Sequence, residues 1–281
     1  MDKSFSDWVG NSEERHDTIG AFPANALSAT LNLTETFHVG SSLPPLWHWL
    51  YFLPIFRLNQ RNYDGHAALG GFLPPITLPR RMWAGSRVTF PRSLIVGKDA
   101  HKVSTIKSIQ EKSGKSGELI FVTVAHQVFQ DSQLCIEEEH DIVYRNAPTG
   151  ANVQSALVKS IETPEFAVQV HPDPVLLFRY SALTFNGHRI HYDHPFCVNT
   201  EGYDGLVVHG PLLATMMLEL VRNEFPEKKI VNFQFRAIAP IFDTTDFEVC
   251  GRKLSGSEIE IWVRRDDDVL AMMGFAKIIE D

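Results

Sequence analysis

Two stretches of the chain alternate apolar and polar residues with the period of a β-strand, and each follows a segment that does not. From Val88 the sequence reads VTFPRSLIVGKD, then VSTIKSIQEKSGKSGELIFVTVAHQVFQDSQLCIEEEHDIVY; from Val231 it reads VNFQFRAIAPIFDT, then FEVCGRKLSGSEIEIWVRRDDDVLAMMGFAKII. Alternating or β-rich runs punctuated by KSGKSGE, QDSQ, LSGSE and RDDD predict strands joined by turns, and the likeness of the two sets points to an internal duplication. The segments ahead of them, 43 to 85 and 176 to 226, mix aromatics, histidine and glycine. In the second, GPLLATMMLELVRNEF puts apolar side chains at 212, 213, 216, 217, 220 and 221, one face of a helix with Pro211 in its first turn. One helix ahead of a strand meander predicts an α+β fold in which an antiparallel sheet wraps a central helix, twice over. The halves are expected at 1–150 and 151–281, with the join in RNAPTGANVQSA around 145 to 156, where Pro148 and Gly150 break either period.

Composition narrows the partners. The chain has 281 residues, enough for a full core, and a net charge of −8 with no Lys/Arg run long enough to track a phosphate backbone, so a small molecule is expected rather than nucleic acid. The most apolar window, LPPLWHWLYFLPIF at 43 to 56, is too short for a bilayer and is interrupted by Pro54, so it reads as core or pocket wall and no membrane is implied. The first twenty residues have neither a secretory nor a mitochondrial leader pattern, which favours a cytoplasmic protein. Cys135, Cys197 and Cys250 are too scattered for a disulfide framework or a metal site and are expected to be buried thiols.

The chemistry concentrates in TFNGHRIHYD, residues 184 to 193, where Asn186, His188, Arg189, His191 and Asp193 crowd a short span. Eighteen residues after His191 comes HGPLLATMM. If the helix starts near Pro211, the backbone N–H groups around Gly210 sit at its positive end, where they can hold a developing oxyanion, and glycine lets a ligand approach closely. Imidazoles, an amide and an oxyanion site together suit chemistry alpha to a thioester carbonyl.

The pairing of N-x-H-R-I-H-x-D with V-V-H-G-P-L-L-A resembles the MaoC-like (R)-specific enoyl-CoA hydratases of the hotdog fold. With LPPLWHWLYFLP, DGHAALGGFLPP and LPRRMWAG upstream, the chain looks like the double-hotdog subgroup of mesaconyl-C4-CoA and itaconyl-CoA hydratases, close to the mitochondrial 3-hydroxyacyl-thioester dehydratases, over roughly residues 40 to 280. The resemblance implies a double hotdog, hydration of a short dicarboxylic enoyl-CoA to citramalyl-CoA, and metal-free acid/base catalysis with no cofactor beyond the CoA of the substrate. Two such chains would be able to pair as a homodimer. Within that likeness His191 falls on the family's histidine, His188 on its asparagine, Asp193 on its later aspartate and Gly210 on the oxyanion glycine. Asn186 stands where most MaoC-like hydratases carry a catalytic aspartate, and an amide can orient a water but cannot take its proton. His191 is therefore the expected acid/base, with Asn186 holding the water or the thioester, and Asp64 or Asp193 the nearest replacement carboxylates. A dehydratase of fatty acid synthesis, a hotdog thioesterase and a non-catalytic acyl-CoA-binding module are the alternatives.

The first half holds a second polar island, YDGHAALGG with Asp64 and His66, and then LPRRMWAG with Arg80 and Arg81. This half is expected to form the substrate tunnel, with Arg80 and Arg81 as counter-charges for CoA phosphates or a substrate carboxylate, a role for which Arg189 competes. The plain readings are a tight Asp-Gly turn and solvated arginines. EEEHD at 137 to 141 resembles a metal cluster by composition, but alternate residues of a strand face opposite sides, so its ligands are not expected to converge.

Overall fold

The computed structural model describes residues 5–114, 117–146, 158–160 and 163–280. The first half contributes β1 (Ser12–Thr18), β2 (Arg80–Thr89), β3 (Asp99–Gly114), β4 (Gly117–Gln130) and β5 (Gln133–Arg145). The second contributes β6 (Phe166–Val170), β7 (Lys228–Ala237), β8 (Phe247–Ser255), β9 (Glu258–Arg265) and β10 (Leu270–Glu280). Period-two burial makes these strands: on β4, Ile120, Val122, Val124 and Val128 are buried while their neighbours are less so. The QDSQ turn is a two-residue hairpin in which Asp131 and Ser132 both take positive φ, 51° and 60°, matching the twist of β4 and β5.

All neighbouring strands are antiparallel, in the order β1-β3-β4-β5-β2-β7-β10-β9-β8-β6. Each half thus repeats one order, first, third, fourth, fifth, second strand, and the copies meet edge to edge where β2 pairs with β7 from Gly85 opposite Arg236 to Thr89 opposite Asn232. The two sheets expected from the sequence are therefore one continuous ten-stranded sheet. The expected join between halves falls largely on residues 147–157, outside the described residues.

The helices are α1 (Ala21–Thr30), α2 (Pro174–Leu183), α3 (His194–Asn199) and α4 (Gly210–Glu224). α4 is the central helix, with Pro211 in its first turn and Leu212, Leu213, Met217, Leu220 and Val221 buried as the spacing predicts. Among the described residues the first half has no counterpart of that length, contrary to the expectation of a helix in each. Between α1 and β2 the only helical elements are 3-10 turns at Trp47–Leu50 and Leu58–Gln60. Trp47 from that turn is buried and donates its Nε1 to Glu219 on α4 at 2.8 Å, tying the two halves together inside the core. No helix among the described residues is long and apolar enough to cross a membrane.

The β2–β7 seam depends on Gly85. A Cβ there would stand 2.2 Å from the Phe235 carbonyl oxygen, so no side chain fits without parting the strands. Gly85→Val is expected to destabilise the fold by at least about 1–3 kcal/mol, the usual cost of overpacking. A melting temperature unchanged by that substitution would contradict the seam.

Candidate functional site

The histidine-rich loop is built by local hydrogen bonds. α2 ends at Leu183, and the chain turns at Phe185 (φ 49°), after which the Asn186 side-chain oxygen accepts the His188 N–H at 3.0 Å. A short 3-10 turn, Arg189–His191, then brings His191 inside, and Asp193 caps α3 by accepting the Phe196 N–H at 3.1 Å. The buried His191 ring lies 2.7 Å through Nδ1 from the Val207 carbonyl. A carbonyl only accepts, so Nδ1 carries the hydrogen and Nε2 is left as an acceptor. His191 stacks on His209, ring centres 3.7 Å apart, and His209 is held by Ser181 at 2.8 Å immediately before α4. The adjoining Gly210 opens α4, so its N–H lies outside the helical ladder.

The first half reaches into this loop. Asp64 and Gly65 dock on Gly187 and Arg189: the Arg189 N–H donates to the Asp64 carbonyl at 2.9 Å, and Gly65, at φ +95°, packs so close that a Cβ would lie 1.8 Å from the Gly187 oxygen. Only glycine satisfies both the left-handed backbone and the contact. The docking delivers His66, whose Nδ1 lies 2.9 Å from an Asp64 carboxylate oxygen and whose ring centre is 4.1 Å from that of His188; His188 in turn meets His191 at 5.4 Å. Asp64, His66 and His188 each bring one potential metal-ligating atom within 4.8 Å of the others.

These groups open on a cavity of about 630 Å³ between the second-half loop and the concave face of the first-half sheet, where no long helix intervenes. Its floor is polar. Glu138 on β5 is buried and accepts from Ser86 at 2.8 Å and Trp49 at 3.1 Å, with His48 at 3.3 Å. His126, opposite Glu138 on β4, lies 2.8 Å from Ser104, and the His140 ring packs, tilted, on Trp83 with centres 4.0 Å apart. Three cations also line the cavity: Arg15, paired with Glu13 at 3.0 Å, and Arg81 and Lys102, neither with a carboxylate within ion-pair distance among the described residues.

Burial decides the charge states. It holds His191 down to about 4, helped by the charge His66 would carry and opposed by the Val207 carbonyl. Burial, then the neighbouring His66, His191 and Arg81, depress His188, and burial with His191 and His188 takes His209 well below its ordinary value. His126 and His140 fall to about 3 and about 4, again chiefly through burial. Burial also depresses His66, although the Asp64 hydrogen bond pulls the other way. Asp64 behaves oppositely: burial would raise its carboxyl, but the His66 hydrogen bonds and charge, with Arg81, hold it below the usual range. Glu138 is likewise kept low despite burial by its bond to His48 and the nearby histidines. The site at neutral pH therefore holds neutral imidazoles beside ionised carboxylates.

The cavity brings together Asn186, His188, His191, Gly210, His66 and Arg81 of the residues singled out in the sequence, with Asp64 behind His66. Asn186 spends its oxygen on a turn, so its amide nitrogen is the end left for a ligand. Three expected ligand contacts are corrected. Arg189 is bound by Asp193 at 2.9 Å and by the Tyr63 carbonyl at 3.1 Å, and lies over the Phe196 ring at 4.0 Å, so it and Asp193 brace the loop outside the cavity. Arg80 is likewise spent, on Glu201 at 3.3 Å and over Tyr203. The polar floor was missed. On EEEHD, Glu137, Glu139 and Asp141 do alternate with Glu138 and His140, but those two share the inner face and meet His126 and His48 there. The signal was present as two polar inward positions in one strand.

The family model described as hydroxyacyl-thioester dehydratase type 2 matches residues 46–243. A mesaconyl-C(4)-CoA hydratase from Chloroflexus aurantiacus is 46% identical over 268 residues, 94% of each chain. A mitochondrial hydroxyacyl-thioester dehydratase type 2 from Schizosaccharomyces pombe is 30% identical, covering 83% of this chain and 88% of its own. Among solved structures, HtdX of Mycobacterium tuberculosis shares the fold with a TM-score of 0.69 at 14% identity, over 95% of this chain and all of its own. A MaoC-like dehydratase of Phytophthora capsici does so with a TM-score of 0.69 at 10% identity, over 98% of both.

The buried imidazoles bind protons less readily folded than unfolded, so the stability they contribute is complete above about pH 6.5 and is lost as pH falls toward about 4. Denaturant unfolding at pH 7 and pH 5 is expected to show a loss on the order of 1–2 kcal/mol for each such histidine. Equal stability at the two pH values would contradict neutral burial.

Proposed function

Because the chain belongs to the hydroxyacyl-thioester dehydratase type 2 family, we propose that it adds water across the double bond of a short, branched, dicarboxylic enoyl-CoA, mesaconyl-C4-CoA or itaconyl-CoA, to give citramalyl-CoA. The chain is a hydro-lyase, and an acyl-CoA substrate agrees with its relatives. The dicarboxylic reading rests on Arg81. Of the arginines beside the site, Arg80 and Arg189 are committed to protein partners, whereas Arg81 faces the cavity near His66 and His188 with no carboxylate within ion-pair distance among the described residues. Arg81 is half-buried, and a cation with no carboxylate in contact is left able to bind a substrate carboxylate.

In this reading the thioester oxygen lies against the Gly210 N–H, at the positive end of α4, so that charge developing on it is stabilised where it forms. Water held on the Nε2 of His191 adds at the β carbon, and a proton is delivered to the α carbon. Asn186, through its amide nitrogen, helps hold the thioester or the water. Because no amide can take up a proton, the acid/base work falls to imidazole.

The test is ultraviolet loss of the enoyl-thioester double bond with mesaconyl-C4-CoA, itaconyl-CoA and crotonyl-CoA. His191→Ala is expected to lower kcat by about 10² to 10⁴. Arg81→Met is expected to raise KM for the dicarboxylic substrates by about 10- to 100-fold, the worth of one charged hydrogen bond, and to cost much less on crotonyl-CoA. Turnover of crotonyl-CoA alone would move the chain to fatty-acyl dehydration. Free CoA without hydrated product would mark a thioesterase.

A further inference from the structure

Hydration needs a group that takes a proton from water as the new C–O bond forms, and Asn186 cannot be that group. Among the cavity imidazoles, His191 and His66 each have Nδ1 against an oxygen acceptor and Nε2 without a protein partner, and they differ in what stands behind them. The Nδ1 hydrogen of His191 meets a neutral carbonyl, and its face lies against His209, so a positive charge formed there is buried without an anion. The Nδ1 hydrogen of His66 meets the carboxylate of Asp64, which can answer a positive charge on the ring directly. The dyad is also held rigidly. Gly65 is wedged on Gly187, and the Arg189 N–H grips the Asp64 carbonyl, so His66 is set against His188 by the fold itself.

We propose that His66, backed by Asp64, is the catalytic base, and that the first half thereby supplies the carboxylate-supported proton acceptor absent at Asn186. The assignment rests on the hydratase reading above. As the water oxygen bonds to the β carbon, one water proton passes to His66 Nε2, and the double-bond electrons move onto the thioester as an enolate whose oxygen lies against the Gly210 N–H. The His66 imidazolium then returns that proton to the α carbon as the thioester carbonyl re-forms. One water is added, His66 and Asp64 end as they began, and nothing is oxidised or reduced. His191 accepts the other hydrogen of the water and aims it.

The charged and titratable groups facing His66 are Asp64 on its own loop, Arg81 on β2, and His188 and His191 on the facing loop, with Glu201 beyond Asp64. Asp64→Asn removes the anion while leaving the backbone contacts of residue 64, and His66→Gln removes the base. With mesaconyl-C4-CoA and crotonyl-CoA as probes, both variants of the full chain are expected to lose about 10² to 10⁴ in kcat. KM should stay within about threefold, since the loss falls on the transition state. Asp64→Asn is also expected to move the acid limb of kcat/KM to lower pH, because loss of the carboxylate weakens the base, a change that a merely structural residue would not cause. Circular dichroism melts establish that each variant is folded, and if Asp64→Asn is not, His66→Gln alone carries the test.

The proposal is overturned if folded His66→Gln keeps kcat within about tenfold of wild type. An acid limb unmoved in folded Asp64→Asn also overturns it. So does stoichiometric metal in the wild-type protein whose removal abolishes turnover, which would make Asp64, His66 and His188 its ligands. Wild-type turnover alongside active variants would sink the dyad alone; a wild type that hydrates no enoyl-CoA would sink the hydratase reading and the dyad with it.

Discussion

The concave face of a curved antiparallel sheet has to be filled, and among the described residues only the second half fills it with a long helix of its own. α4 buries Leu212, Leu213, Met217 and Val221 against β7 to β10, and that packing is ordinary core. The first half has the same strand order but, among the described residues, only 3-10 turns between α1 and β2, so part of its concave surface is left to a cavity. A surface that faces a ligand rather than a helix can afford polar groups, provided each buried one is held. Glu138 meets that condition through Ser86, Trp49 and His48. The missing helix and the polar floor are thus one fact seen from two sides.

The same asymmetry explains why the site belongs to neither half. The second half supplies the helix start at Gly210 and the imidazoles of the 184–193 loop; the first supplies His66, Asp64, Arg81 and the floor. What aligns them is a contact between two backbones, Gly65 on Gly187, reinforced by the Arg189 N–H on the Asp64 carbonyl. Arg189 and Asp193 look like ligand contacts in the sequence because they lie among the other polar residues of that loop. Their work is to keep the loop that presents His188 and His191 in place.

Much of this was legible before the fold was known. The spacing of Leu212, Leu213, Met217, Leu220 and Val221 marked α4, Pro211 marked its start, and strand alternation marked the meanders. The polar crowding of TFNGHRIHYD marked the site. What could not be read were pairings between residues distant in sequence. Nothing local says that Asp64 turns toward His66 and then toward residues more than a hundred positions away, or that Arg80 is consumed by Glu201. The floor was lost for a different reason. Alternation was applied to EEEHD as a whole, although it sorts that run into an outward set that pairs with Arg87 and Lys107 and an inward set that converges.

Joining the two sheets at β2 and β7 leaves the molecule with β1 and β6 as its outermost strands, and they are not alike. β1 reads SEERHDT, a row of charges that repels the edge of another sheet. β6 reads FAVQV, short and uncharged, with Val168 exposed, and among the described residues no strand pairs with its outer side. Among the described residues, strand addition from a second chain is therefore guarded at one end of the sheet and unguarded at the other, a directional difference that the internal symmetry conceals.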